Sequence, residues 1–320
     1  MKINFWDKKK VLITGGTGFI GSHLASRLDF LGADVKLFIH NRPPQDKEMW
    51  GFSGDLGCWI GHLSDYLNEL KPDAVFHLAA QPIVGVAMEN EFDTSEINIR
   101  GTYNLYHVLR SVSSVKSILH VSTDKVYGDV EFIEQESPLS GTKHPYNATK
   151  LCGDIIAQMY GSAYGLPITI VRNGNVYGPG DYHWDRLIPG TIQRIYKNEH
   201  PIMRGNGHPL RDYIYVSEVV DAYIKLAEMR WGIPSSRSVN LGSHRPYSVV
   251  DVVDKILSLM NRVDLVPVTE FLWNGELVNQ HIDNSNAEKF MGWNPTIDLD
   301  EGLKRTIPWY IRYMESMKNE

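Results

Sequence analysis

The sequence predicts an α/β protein with a doubly wound parallel sheet and a smaller, irregular C-terminal lobe. Short apolar runs alternate with longer amphipathic segments, a glycine-rich turn follows the first apolar run directly, and the rhythm loosens after about residue 175. Alternation of this kind means parallel strands covered by helices on both faces. Ligands of such sheets sit beyond the C-terminal ends of the strands.

The elements are expected in order. Residues 10–14 read as a buried strand, 20–31 as a helix and 35–39 as the second strand. Residues 63–70 are helix-like, and 74–78 form another apolar strand. In 96–109, Ile97, Tyr103, Leu105, Val108 and Leu109 share a helical face. Residues 117–121 are a strand, 146–160 a helix and 168–171 a strand. Beyond 175, Pro179-Gly180, Pro189-Gly190, Gly205-Asn206-Gly207 and Ile233-Pro234 punctuate shorter elements. Residues 1–175 are therefore expected to form the dinucleotide-binding unit, and 176–320 mainly a substrate lobe. Val239-Asn240-Leu241-Gly242 looks like a sheet strand, so the chain is expected to return to the first unit around 212–245.

Of the 320 residues 42% are apolar, enough for a substantial core, and the formal net charge is −6. The absence of a basic block argues against nucleic acid and anionic membrane, leaving a small molecule as the expected partner. Cys58 and Cys152 have no metal-like spacing, and no metal is expected. No signal-peptide core and no membrane-length apolar run occur, so the expectation is a cytoplasmic protein.

Thr14-Gly15-Gly16-Thr17-Gly18-Phe19-Ile20-Gly21 has glycines at 15, 18 and 21 between a strand and a helix. Glycine lets the backbone approach a pyrophosphate, and the helix N-terminus offers unpaired N–H groups at a positive dipole end. This is a Rossmann-type cradle for NAD or NADP, with Gly15, Thr17, Gly18, Phe19, Ile20 and Gly21 as contacts. A ribose-binding acid is expected about 20 residues later. The segment there reads Ile39-His40-Asn41-Arg42-Pro43-Pro44, with no acid before Asp46. Arg42 would suit a 2′-phosphate, so NAD and NADP both stay open. Asn41 and Arg42 are candidate cofactor contacts, as are Asp55 and Leu56 near the adenine.

Ser122-Thr123-Asp124-Lys125-Val126-Tyr127-Gly128 follows a strand, and Tyr146-Asn147-Ala148-Thr149-Lys150 comes some twenty residues later. Tyr146 and Lys150 share a helical face. A nearby ammonium should depress the phenol and make it a base for a sugar hydroxyl. Together the two stretches supply a hydroxyl, a carboxyl, a phenol and two amines, more proton-transfer groups than a simple hydride transfer needs.

With these motifs the chain resembles the extended short-chain dehydrogenase/reductase family, in its nucleotide-sugar branch, over nearly its whole length. The resemblance includes His77-Leu78-Ala79-Ala80-Gln81, Asn98, Asn175-Val176-Tyr177-Gly178-Pro179, Arg211-Asp212-Tyr213 and Gly292-Trp293-Asn294-Pro295. It implies Leu78, Ala79, Ala80 and Asn98 as further cofactor contacts, with Tyr146 and Lys150 contributing. It implies Gln81, Thr123, Asn175, Arg186, Arg204 and Arg211 as substrate contacts, with Asn175 and Arg211 on the diphosphate. It implies Thr123, Tyr146 and Lys150 as the core catalytic triad, and Asp124-Lys125 directly after Thr123 is similar to the 4,6-dehydratases, most of all those acting on CDP-glucose. The sequence leaves open the nucleotide base among CDP, dTDP, GDP and UDP.

The resemblance implies a nucleotide hexose oxidised at C4, dehydrated across C5 and C6, and reduced at C6 by a cofactor that stays tightly bound and is regenerated each cycle. Asp124 would be the acid at C6 and Lys125 the base at C5. At neutral pH an ordinary Asp is ionised and an ordinary Lys charged (about 3.9 and 10.4). The ion pair and the neutral pair hold the same number of protons, however, and water exclusion favours the neutral one. Lys150 is expected to push Lys125 the same way. A 4-epimerase would leave Asp124-Lys125 idle, a nucleotide-uronate decarboxylase would need a cation for the C5 carboxylate, and a non-catalytic dinucleotide sensor would dispense with the Tyr-Lys pair. The resemblance also implies a homodimer joined by a four-helix bundle of helices 97–110 and 146–160.

Overall fold

Seven parallel strands run through the computed structural model, which describes residues 4–40, 49–57, 60–243, 245–270 and 279–318. They are β1 (Lys10–Thr14), β2 (Asp34–Ile39), β3 (Trp50–Ser53), β4 (Ala74–His77), β5 (Ser117–Thr123), β6 (Pro167–Asn173) and β7 (Ser235–Leu241). Their spatial order is β7-β6-β5-β4-β1-β2-β3. The order reverses direction beside β1, the switch point where doubly wound sheets open a crevice.

Alternation along each strand builds the two faces. Val11 and Ile13 of β1 pack in one core with Leu24 and Leu28 of α1 (Phe19–Phe30). Leu12 faces the other core, with Leu63 and Leu67 of α2 (Ile60–Leu70). Short helices α3 (Val84–Glu89) and α4 (Glu91–Ser95) precede α5 (Gly101–Leu109) and α6 (Pro145–Tyr164). Later come α7 (Leu187–Tyr196), α8 (Val216–Met229), α9 (Val249–Leu259), α10 (Ser285–Met291) and α11 (Leu299–Ser316). Helix α8 joins the first core through Val219, Val220 and Tyr223, and β7 pairs in register with β6. Helices α7, α9 and α11 share a separate core around Ile192, Ile256 and Leu303.

Two expectations change. The helix read as 96–109 begins with one π-type turn, Glu96–Arg100, before α5 proper. Such turns often mark functional positions, and this one carries Asn98. Helix α6 runs a turn beyond the expected end at Tyr160 and stops at Gly165, whose φ of 70° is left-handed. Glycine adopts that geometry without a Cβ penalty.

A buried ion pair fastens α6 to the sheet. Arg172 of β6 donates from Nε and Nη2 to Asp154 at 2.8 and 2.9 Å. Ser122 and Gln158 donate to the same carboxylate at 2.7 and 2.8 Å. Arg172 Nη1 donates to the Tyr127 hydroxyl, which donates to Asn240 of β7. Burial alone would raise the Asp154 carboxyl, but the bonds and charge of Arg172 outweigh it and hold it below the usual range. This contribution to stability is therefore present above the unfolded Asp value and is lost as the pH falls through the depressed folded one. Arg172→Met, which strands the buried carboxylate, should cost about 3–5 kcal/mol in denaturant unfolding. Adding Asp154→Leu should recover part of that loss; a single variant as stable as the wild type would contradict the reading.

Candidate active site

The cradle is built where β1 turns into α1. Gly15 has φ of 72°, and a Cβ there would lie 2.7 Å from the Ala79 nitrogen. Only glycine lets the turn close against the segment after β4. That segment is held in place by Thr14: its carbonyl accepts from Leu78 N at 3.0 Å and its hydroxyl from Ala79 N at 3.3 Å. Leu78, Ala79 and Ala80 thus lie beside the glycine turn. Gly18 caps α1 with no side-chain hydrogen bond, so the first N–H groups of the helix are available to an anion.

His77 locks this corner from below. Its Nδ1 meets the Thr14 hydroxyl at 2.7 Å and its Nε2 meets Thr102 at 3.0 Å. Burial, with the Lys150 charge, pushes its pKa down to about 3, so it is neutral. Asp55 accepts from Gly57 N at 2.7 Å in a tight turn, and Asn104 of α5 donates to the Leu56 carbonyl at 2.7 Å. Asn41 and Arg42 lie outside the described residues.

Asn98 organises the next layer. It accepts from Gln81 N at 2.8 Å and donates to Thr149 at 3.0 Å, joining the β4 loop to α6. The Gln81 side chain is engaged by Ile83 and Thr94. These bonds fasten the loop after β4 at a residue expected to contact substrate.

At the end of β5, Thr123 caps a 3₁₀ turn spanning Asp124–Tyr127. Its hydroxyl donates to Asp124 Oδ1 at 2.9 Å. Asp124 Oδ2 accepts from Lys125 Nζ at 2.8 Å, with only 3% of the Asp124 side chain and 15% of the Lys125 side chain exposed. Burial lowers the Lys125 pKa; Asp124 opposes the shift, and the Arg211 guanidinium adds to it. The push toward the amine expected from water exclusion is therefore present, and the cation that adds to it is Arg211 rather than Lys150. Gln280, which no motif singles out, accepts from Lys125 Nζ at 2.5 Å.

Tyr146 and Lys150 share the first turns of α6, as their spacing predicts. Lys150 Nζ donates to the Val121 carbonyl at 2.7 Å, and burial brings its pKa down to about 8 despite Asp154. The phenol departs from expectation. Burial raises the Tyr146 pKa, and what counters it is a hydrogen bond with Thr123 and the charge of Arg186, with Lys150 not among the causes.

Asn175 donates its N–H to the Asp212 carbonyl at 2.8 Å, and its strand (Asn175–Tyr177) pairs with Tyr213–Tyr215. His23 of α1 meets the Pro179 carbonyl at 2.8 Å, which brings this segment against the cradle. Arg211 is buried, and its charge is felt at Lys125. Arg186 pairs with Asp181 at 2.9 Å. Arg204 differs: it is 57% exposed and loosely paired with Asp185 at 3.7 Å, a surface position rather than a buried phosphate contact. Among the described residues no cluster of metal-ligating side chains occurs, and no helix is long and apolar enough to cross a membrane.

Residues 11–242 match the model of the NAD dependent epimerase/dehydratase family, and the chain belongs to that family. Relatives at 30% identity include two dehydratases. The CDP-glucose 4,6-dehydratase of Salmonella typhimurium matches over 96% of this chain and 92% of its own length. The dTDP-D-glucose 4,6-dehydratase of Mus musculus matches over 97% and 91%. Among solved structures, MoeE5 in complex with UDP-glucuronic acid and NAD superposes with a TM-score of 0.83 and 28% identity, over 95% of this chain and 99% of that one. A bound dinucleotide fits this site on two counts: the uncapped helix N-terminus and a glycine turn that admits no Cβ.

Two substitutions test this geometry. Gly15→Ala should purify with much less bound cofactor than the wild type, read by absorbance of the denatured supernatant; equal content would contradict the close approach. Lys150→Met should lose roughly 10²- to 10⁴-fold in turnover yet be no less stable in thermal unfolding, because it removes a charge that burial disfavours.

Proposed function

We propose that this protein is a nucleotide-sugar 4,6-dehydratase acting on CDP-glucose, with NAD as cofactor. The observation that carries the proposal is the buried Asp124–Lys125 pair hydrogen-bonded to Thr123. A 4-epimerase needs neither group, and a buried ion pair without a use costs desolvation. The names of the 30%-identical relatives support dehydration, and a CDP-glucose enzyme is among them.

NAD in the cradle supplies a hydride acceptor for C4 and, once reduced, a hydride donor for C6. In the proposed cycle Tyr146 takes the proton of the 4-hydroxyl while Thr123 holds that oxygen. The 4-ketone acidifies C5–H. Lys125, as the amine, takes the C5 proton. The C6–O bond breaks as Asp124, as the acid, protonates the leaving hydroxyl, and C5=C6 forms with release of water. Lys125, now an ammonium, returns a proton to C5 as C6 is reduced. Tyr146 then holds one proton too many and Asp124 one too few. Thr123 closes this balance: it bonds with Tyr146 on one side and donates to Asp124 on the other. Arg211 favours the amine form of Lys125, and we assign it, with Asn175 and Arg186, to the substrate diphosphate. Residues 176–320 supply most of that side.

We also propose a homodimer. Tyr103 of α5 and Ile155 and Met159 of α6, the helices expected to pair, are exposed, as are Val86 and Met88 of α3 and Phe92 of α4. A monomeric mass in sedimentation at micromolar concentration would contradict it.

A panel of CDP-, dTDP-, GDP- and UDP-hexoses should show loss of one water from CDP-glucose, and the cofactor released on denaturation should be NAD. An epimer without mass change would overturn the dehydratase reading. Lys125→Ala should still oxidise C4 but lose roughly 10²- to 10⁴-fold in dehydration; release of 4-keto-6-deoxy product at the normal rate would remove Lys125 as the base.

A further inference from the structure

Gln280 lies 155 residues from Lys125 and is fully buried. Its backbone is fixed: Gln280 N donates to the Leu210 carbonyl at 3.0 Å, and the next two residues pair with Phe132–Ile133. Ile282 N donates to Asp212 at 2.6 Å. The amide has one sensible orientation. Turned the other way, it would set its NH₂ donors against the donors of Lys125. As it stands, Nε2 faces the Gly128 carbonyl at 3.4 Å and Oε1 meets Nζ at 2.5 Å.

We infer that Gln280 is a positioning residue that aims the Lys125 lone pair and sets its proton affinity; the inference rests on the dehydratase reading above. A neutral amine has two N–H bonds and one lone pair. Asp124 Oδ2 and Gln280 Oε1 are two acceptors, one for each N–H. With both satisfied, the lone pair occupies the one tetrahedral direction left. Without Gln280, an N–H can rotate into that direction and the lone pair is lost to the reaction. After C5–H breaks and its proton joins Lys125, the same carbonyl stabilises the ammonium, because a dipole oxygen favours the charged form. The other charged groups acting on Nζ are Asp124 on its own turn and Arg211 and Asp212 on the facing segment. Gln280 is the uncharged member of this set, so it steers Nζ without pinning it as an ammonium.

The test is the pH dependence of dehydration in single turnover of the NAD-loaded enzyme with saturating CDP-glucose. Its alkaline limb reports loss of the proton shared by the Asp124–Lys125 pair, a property of the pair rather than of either residue. Gln280→Leu, which removes the acceptor, should move that limb down by about one pH unit and lower the maximum rate. Gln280→Glu, which adds a carboxylate, should move it up by about one unit and lower the plateau, because more of the pair is held as ions. C4 oxidation, followed by the near-ultraviolet absorbance of the reduced cofactor, should survive in both. A packing role alone would lower the amplitude and leave the limb in place; an unmoved limb in both variants overturns the inference while the dehydratase reading stands. Should Gln280→Leu fail to fold, the shift in Gln280→Glu decides. A wild-type enzyme that releases no 4-keto-6-deoxy sugar overturns both.

Discussion

Everything distinctive about this site depends on two opposite charges being buried together at the end of β5. Neither the Asp124 carboxylate nor the Lys125 ammonium can be taken out of water alone, since an unpaired buried ion costs several kcal/mol. Side by side at 2.8 Å, they are tolerable as ions and can also exist as an acid and an amine. That second state is the one dehydration requires. Thr123, Gln280 and Arg211 each touch or bias the pair from a different element, and the C-terminal half of the chain is needed to bring two of them there.

A second buried layer supports the first. Asp154 and Arg172 pin α6 against β6, and α6 carries Tyr146 and Lys150. His77 and His120 lie beneath, both pushed toward the neutral form by burial, with the Lys150 charge acting the same way. Neutral rings can hydrogen-bond Thr14 and Tyr106 without repelling the lysine. Tyr146 and Lys150 thus rest on neutral rings and one satisfied ion pair, while the Asp124–Lys125 pair stands apart at the end of β5.

The parallel strands, the glycine turn and the shared face of Tyr146 and Lys150 were legible because each is local. Apolar alternation needs a few residues, and the glycine turn and the Tyr-Lys spacing need a few more. What stayed hidden is what folding brings from afar. Gln280 carries no motif, and its meeting with Lys125 depends on distant segments that hold its backbone, Leu210, Phe132–Ile133 and Asp212. Asn104 holds the Leu56 turn from another helix, again with no local signal. The Tyr146 expectation went the wrong way for a different reason: spacing shows which groups share a face, whereas burial sets which way a pKa moves. Arg204 was a basic residue at a plausible position, and its exposure could not be read from its neighbours in sequence.

The central claim is that one catalytic cycle joins oxidation at C4 to elimination across C5 and C6. It is tested most directly by turning over CDP-glucose deuterated at C4 and locating the label in the product. The account predicts deuterium in the C6 methyl group of a 4-keto-6-deoxy sugar. Deuterium returned to C4 of an epimerised, undehydrated hexose would contradict it.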